Sequence, residues 1–196
     1  MTSIQKPTVH RFAIPALLFC GLAAPALAQR TVPSGHVRAG QLSFDGRATA
    51  GDFVGKTDSV SGELKGGPVD SVQGWVEAPV TSLKTGNGRR DKDLNKSMES
   101  DKFPTIRFEL ASVRSAGEGD SVDVVLVGQF LIHGETRVAE VPATLVFTPD
   151  GVRVRGKVPL NLKDYKIGGL SKMLGVLKMH EDIEVHLDVT FGYSKQ

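Results

Sequence analysis

The stretch Ile183-Glu184-Val185-His186-Leu187-Asp188-Val189-Thr190-Phe191 alternates apolar and polar side chains without a break. Successive side chains of a β-strand point to opposite faces, so this period gathers every apolar residue of the stretch on one face of a strand. Moving outward, the same period recurs at Val152, Val154, Val158, Leu160 and Leu162, interrupted by Gly156. It recurs again at Val122, Val124, Leu126, Phe130 and Ile132 around Gly128, where a glycine predicts a bulge or bend, and at Ile106, Phe108 and Leu110 after Pro104. Weaker alternation near Leu42–Thr49, Val60–Leu64, Val72–Val80 and Val138–Phe147 brings the expectation to roughly eight strands.

The links between these strands are turn-like: Gly66-Gly67-Pro68, Gly117-Glu118-Gly119-Asp120, His133-Gly134-Glu135 and Pro149-Asp150-Gly151. Links this short join antiparallel neighbours in a meander. Two interruptions are longer. Asp91–Asp101 is polar with Leu94 and Met98 four apart, as in a short surface helix, and Leu170–Met179 is an apolar stretch beside Gly168-Gly169. An antiparallel sheet of this size without covering helices closes on itself or splits into a sandwich, and closure also removes the edge strands. An eight-stranded barrel either fills with side chains or holds one small ligand. The inward residues are mostly small, and the chain has 1 Trp, 2 Tyr and 9 Phe, which leaves room for an apolar ligand. The expected wall comprises Val72, Val76, Ile106, Phe108, Leu126, Phe130, Leu145, Val158, Leu160, Leu187 and Val189, with Met98 and Leu170–Leu177 closing the mouth.

Residues 1–28 carry Lys6 and Arg11 and no acid, then an uncharged run from Phe12 to Leu22, Pro25, and Ala26-Leu27-Ala28 before Gln29. This is the pattern of an export signal cleaved after Ala28, and the run is shorter than the roughly 20 residues that span hydrocarbon. Cys20 follows Phe19, not the small residue that a lipoprotein box requires. Cleavage removes the only Cys, so residues 29–196 form one domain held by its core, without a disulfide. It also leaves 22 Lys+Arg against 22 Asp+Glu, a balance with no electrostatic footprint for nucleic acid.

Several motif matches lack their context. Ala50-Gly51-Asp52-Phe53-Val54-Gly55-Lys56-Thr57 fits a relaxed phosphate-binding loop, whose chemistry needs backbone N–H groups and a Lys at the start of a helix. The next residues, Asp58-Ser59-Val60-Ser61-Gly62-Glu63-Leu64, are strand-forming, so nucleotide binding is not expected. His180-Glu181-Asp182-Ile183-Glu184 begins like a zincin helix but has Glu184 where the second His belongs, and His186 falls on the outward face with Glu184. A metal needs three or four convergent ligands, and no metal or cofactor is expected. His36 and His133 have no neighbouring nucleophile or carboxylate pair in the sequence, so no catalytic constellation is visible.

The segment Gly86-Asn87-Gly88-Arg89-Arg90-Asp91-Lys92-Asp93-Leu94 sets a turn before a dense run of alternating charge. Asp91 is expected to cap the adjoining helix, and Arg90 and Asp91 to form a latch between loop and barrel or to place a cation near a ligand head. Three blocks in order, Ser82-Leu83-x-Thr85-Gly86-Asn87-x-x-Arg90-Asp91-x-x-Leu94, then Phe103-Pro104-Thr105-Ile106-x-Phe108, then Gly128-x-Phe130-Leu131-Ile132-His133-Gly134-x-Thr136, resemble the YceI family of exported lipid-binding proteins. The resemblance implies a lipocalin-like antiparallel barrel, a periplasmic address, and a long pocket for a polyisoprenoid or similar lipid. The chain departs from the family at Val37-Arg38-Ala39-Gly40, at Ser97-Met98, and at Lys163-Asp164-Tyr165-Lys166-Ile167-Gly168.

The expectation is an all-β, lipocalin-like barrel of roughly eight antiparallel strands with one or two short helical segments. Its function is expected to be non-catalytic binding or carriage of a long apolar lipid, with Arg90 and the wall residues as the site and transient contact with a membrane. Two alternatives stand beside it: a filled barrel acting as an interaction or stress-response module, and an enzyme whose site is not visible in the sequence.

Overall fold

The strand with the strictest alternation is the seam of a closed barrel. A computed structural model describes residues 30–115, 117, 119–168, 171–172 and 177–194. The leader, and Leu170, Met173, Leu174 and Val176, lie outside the described residues. In chain order the strands are β1 (Thr31–Val32), β2 (Gly35–Gly46), β3 (Phe53–Thr57), β4 (Ser61–Lys65), β5 (Gly67–Pro68), β6 (Gln73–Pro79), β7 (Thr105–Ser115), β8 (Ser121–Ile132), β9 (Glu135–Thr148), β10 (Gly151–Asn161), β11 (Ser171–Lys172), β12 (Leu177–Lys178) and β13 (Asp182–Tyr193). The sheet order is β13-β10-β9-β8-β7-β6-β4-β2, and β13 then pairs with β2, so eight strands close the circuit. All of these pairings are antiparallel.

The inward rows meet across the seam. Val152, Val154, Gly156, Val158 and Leu160 of β10 stand opposite Phe191, Val189, Leu187, Val185 and Ile183 of β13. On the other side of β13, Gly40, Leu42 and Phe44 of β2 face Val189, Leu187 and Val185, and a register shift between Thr190 and Phe191 brings Val37 opposite Phe191. This bulge changes the phase of alternation within β2, which is why its first half does not read as a strand. A second shift, between Leu110 and Ser112 of β7, lets Val113 point inward with Ile106, Phe108 and Leu110.

One end of the barrel is packed and the other is roofed. At the packed end, Val32, Leu64, Val72, Val113, Val122, Leu145, Val152 and Phe191 form a continuous buried cluster. The β1–β5 pair lies against this end, with Val32 only 4% exposed and Arg30 tied to Asp120 at 3.0 Å and stacked on Phe147. At the roofed end, α1 (Gly88–Ser97) and the 3₁₀ segments Val80–Ser82 and Leu162–Tyr165 cross over a second cluster of Val80, Met98, Ile132, Leu162, Tyr165 and Ile167.

One expectation, that Asp91 caps the helix, is corrected, and two further segments take definite form. The phosphate-loop pattern is a strand: β3 pairs with the second half of β2, and the amide of Lys56 donates to the Lys84 carbonyl at 2.9 Å while Lys84 returns the bond. Its glycine is required by close approach, since a Cβ on Gly55 would run into the Phe44 ring. Asp91 is not the helix cap. Asn87 is, because its side chain accepts from the Arg89 and Arg90 amides, at 3.0 and 3.1 Å. The Leu170–Met179 stretch contributes no helix among the described residues; Ser171–Lys172 and Leu177–Lys178 pair as a short antiparallel ladder instead.

Candidate functional site

The small inward residues leave a cavity of about 480 Å³ between the packed end and the roof. Its wall is aliphatic and aromatic. Of the expected site residues, Val76, Ile106, Phe108, Leu126, Phe130, Val158, Leu160 and Leu187 stand on this wall, with Met98 over it from the end of α1 and Arg90 at its rim. Val72 and Leu145 do not. They line a separate chamber of about 60 Å³ deeper in the packed end, and Val189, with 0% exposure, is sealed in the core. Position along β9 and β13 decides this for Leu145 and Val189, because inward direction alone does not say at what height a side chain stands, and Val72 stands just before β6 begins.

The structure adds residues that alternation did not single out. Phe44 and Phe53 meet edge to face at the mouth, with ring centroids 6.1 Å apart, and Tyr165 and Ile167 cover the cavity from the segment after β10. Phe44 is two residues after Leu42 and was accessible to the period-two reading. Phe53 sits inside the phosphate-loop pattern, and Tyr165 lies outside any strand. Burial raises the Tyr165 phenol above its ordinary pKa.

The rim carries the polar groups. Ala50, Gly51, Asn87, Arg89 and Lys178 are exposed rim residues, which places the opening between the β2–β3 turn, the start of α1 and β12. The Arg90 guanidinium lies over the Phe53 ring at 4.2 Å, and its Nη2 donates to the Thr85 carbonyl at 3.3 Å. Asp91 is the firmer latch: its carboxylate accepts from the Thr85 amide at 2.8 Å and from the Thr85 hydroxyl at 2.6 Å. Those two bonds hold the Asp91 carboxyl below its ordinary pKa, the hydroxyl contributing most. Thr85 is buried, so the loop before α1 is fixed to the helix from beneath.

The described histidines lie away from the cavity wall, whereas of the acids Glu77 and Asp93 border it. His133 Nδ1 is 2.9 Å from the Tyr165 carbonyl, and its ring packs on Phe103, which ties the β8–β9 turn to the roof. On the outer wall the fold brings Asp45 to Glu184 and His186, with His186 Nε2 at 3.0 Å from Asp45 and 3.5 Å from Glu184. Asp45 joins this group through the β2–β13 register, which no local pattern encodes. Lys157 stands 3.6 Å from Glu184 and offsets part of the acid charge.

A family profile described as the YceI-like domain matches residues 36–191. The chain belongs to that family. The YceI-like barrel is similar to a polyisoprenoid-binding domain from Saccharophagus degradans implicated in plant cell wall breakdown, at a TM-score of 0.68 and 15% identity over 83% of this chain and 99% of that one. It is also similar to BcnA of Burkholderia cenocepacia, at a TM-score of 0.65 and 15% identity over 77% of this chain and 95% of that one. The YceI protein of Campylobacter jejuni gives 0.60 and 14%, over 72% and 85%. A comparison with curated proteins finds no match. At these identities the solved structures speak for a shared fold.

Proposed function

We propose that this YceI-like barrel is a non-catalytic carrier that holds a long apolar lipid, such as a polyisoprenoid, in its cavity. The observation that carries the reading is a cavity of about 480 Å³ whose lining is mostly aliphatic and aromatic, with Asn87, Arg89 and Arg90 at its rim. That volume falls within the roughly 300–1,000 Å³ of small-molecule sites. Each buried methylene is worth about 0.8 kcal/mol, so a chain of several isoprene units is held without a charged contact inside the barrel. The wall residues Val76, Ile106, Phe108, Leu126, Phe130, Val158, Leu160 and Leu187 supply that contact, Met98 covers it, and Arg90 orients the head. The polyisoprenoid-binding neighbour supports this ligand class. The leader pattern ending at Ala28 supports export to the periplasm, and an exposed rim around an apolar opening suits brief contact with a membrane during loading.

Displacement of aminoanthracene fluorescence by solanesol tests the reading. The wild-type protein is expected to bind the probe and release it to solanesol, and Val76→Trp, which projects an indole into the cavity, is expected to abolish both while remaining folded. If the wild type binds neither compound, or if Val76→Trp loses about 1–3 kcal/mol as an overpacked core does, the cavity is not a lipid site.

A further inference from the structure

The barrel interior holds two chambers in series, and one row of side chains divides them. Val76, Phe108, Leu126 and Leu187 line both the cavity of about 480 Å³ and the chamber of about 60 Å³ behind it. They come from β6, β7, β8 and β13 and form a partial ring at the boundary between the two spaces. Phe108 is the only aromatic residue among them. It stands in register between Val76 and Phe130, and its ring is 4.8 Å from that of Phe130. The ring reaches across Gly128, where a Cβ would meet Phe108 Cζ at 2.7 Å. Gly128 is therefore the seat that gives the Phe108 ring room at the boundary between the two chambers.

The geometry points to Phe108 as the stop that sets the longest chain the barrel accepts. This rests on the lipid-carrier reading. The deeper chamber is lined by apolar residues such as Val72, Leu110 and Leu145, so it is chemically suited to the end of a hydrocarbon chain, yet the phenyl ring stands at its entrance. Removing the ring joins the two spaces. A ligand one isoprene unit longer then fits, whereas shorter ligands keep the contacts they had.

The test is aminoanthracene displacement by all-trans prenyl alcohols from farnesol to solanesol in single isoprene steps. In the wild type, affinity is expected to climb with length and stop climbing at one member. In Phe108→Ala the climb should extend to the next member, which binds about tenfold tighter than to the wild type, the gain from burying two further methylenes. Phe108→Leu should show part of that gain, and it replaces Phe108→Ala if the latter loses its near-ultraviolet circular dichroism. Adding Val72→Phe, which refills the deeper chamber, should return the break to its wild-type position. A break at the same length in the wild type and both Phe108 variants overturns the stop and leaves the carrier reading standing. If the wild type binds no member of the series, the carrier reading falls and the stop falls with it.

Discussion

Arg90 and Asp91 are adjacent in sequence but divide the work at the cavity mouth. Asp91 accepts both the amide and the hydroxyl of buried Thr85, so Asp91→Ala is expected to lower stability by about 2 kcal/mol, with or without ligand. Arg90 stacks on Phe53 and makes a single 3.3 Å bond to the Thr85 carbonyl. Arg90→Ala should cost only about 1 kcal/mol in thermal melts, while weakening an anionic-headed prenyl phosphate more than the matching alcohol. Equal loss for the two ligands would make Arg90 part of the latch and not a head-group contact. The Arg-Asp pair stands out in the sequence because opposite charges beside a Gly-Asn-Gly turn are unusual on a barrel surface. Which of the two caps, latches or faces the ligand was not legible, since Asn87, Asp91 and Thr85 all offer the same chemistry within a few residues.

At the scale of elements, strands were legible where alternation keeps one phase and obscure where a bulge resets it. β8, β10 and β13 run inward at every second residue, and all three are plain in the sequence. β2 is not, because the shift at Thr190/Phe191 moves Val37 and Gly40 onto one face with an odd spacing between them. β3 was hidden for another reason: five residues of strand carry Gly and Lys where a nucleotide loop would. The helix was visible from Leu94 and Met98, but its cap was not. Asn87→Ala should lower stability by about 1 kcal/mol and increase amide exchange in the first turn of α1, leaving the barrel strands protected. The seam has its own measurable device. Arg153 clamps Asp188 with two bonds of 2.6 Å across β10 and β13, and this clamp, joined by Arg155, holds the Asp188 carboxyl below its ordinary pKa. A carboxyl that titrates lower when folded stabilises the fold above the ordinary carboxylate range and loses that contribution as pH falls through the lowered value. Asp188→Asn should therefore melt lower than the wild type at neutral pH, by about 1 kcal/mol or less because the pair is exposed, and the difference should vanish in acid.

The whole molecule is a closed barrel with one end packed and the other roofed, and this asymmetry is what leaves a cavity. Closure and an apolar interior could be inferred from the strand count and the small inward residues. The division into a cavity and a deeper chamber could not, because the heights of Leu145 and Val189 depend on register and bulges that only the paired strands define, and Val72 stands just before β6 begins. The packed end depends on Val32 and Arg30, which come closely after the expected cleavage point: Val32 is buried in the cluster at the base of the barrel, and Arg30 holds Phe147 and Asp120 there. A mature chain beginning at Gln29 keeps both, whereas trimming beyond Val32 should open the base and lower the melting temperature. Carriage of an apolar chain in the cavity is read out by organic extraction of the protein purified from its host cells, with mass spectrometry of what comes off. A carrier yields one class of long apolar lipid, close to one molecule per chain from the wild type and none from Val76→Trp; a wild-type extract without lipid, from a protein whose Val76→Trp variant melts much lower, would show that the barrel carries none.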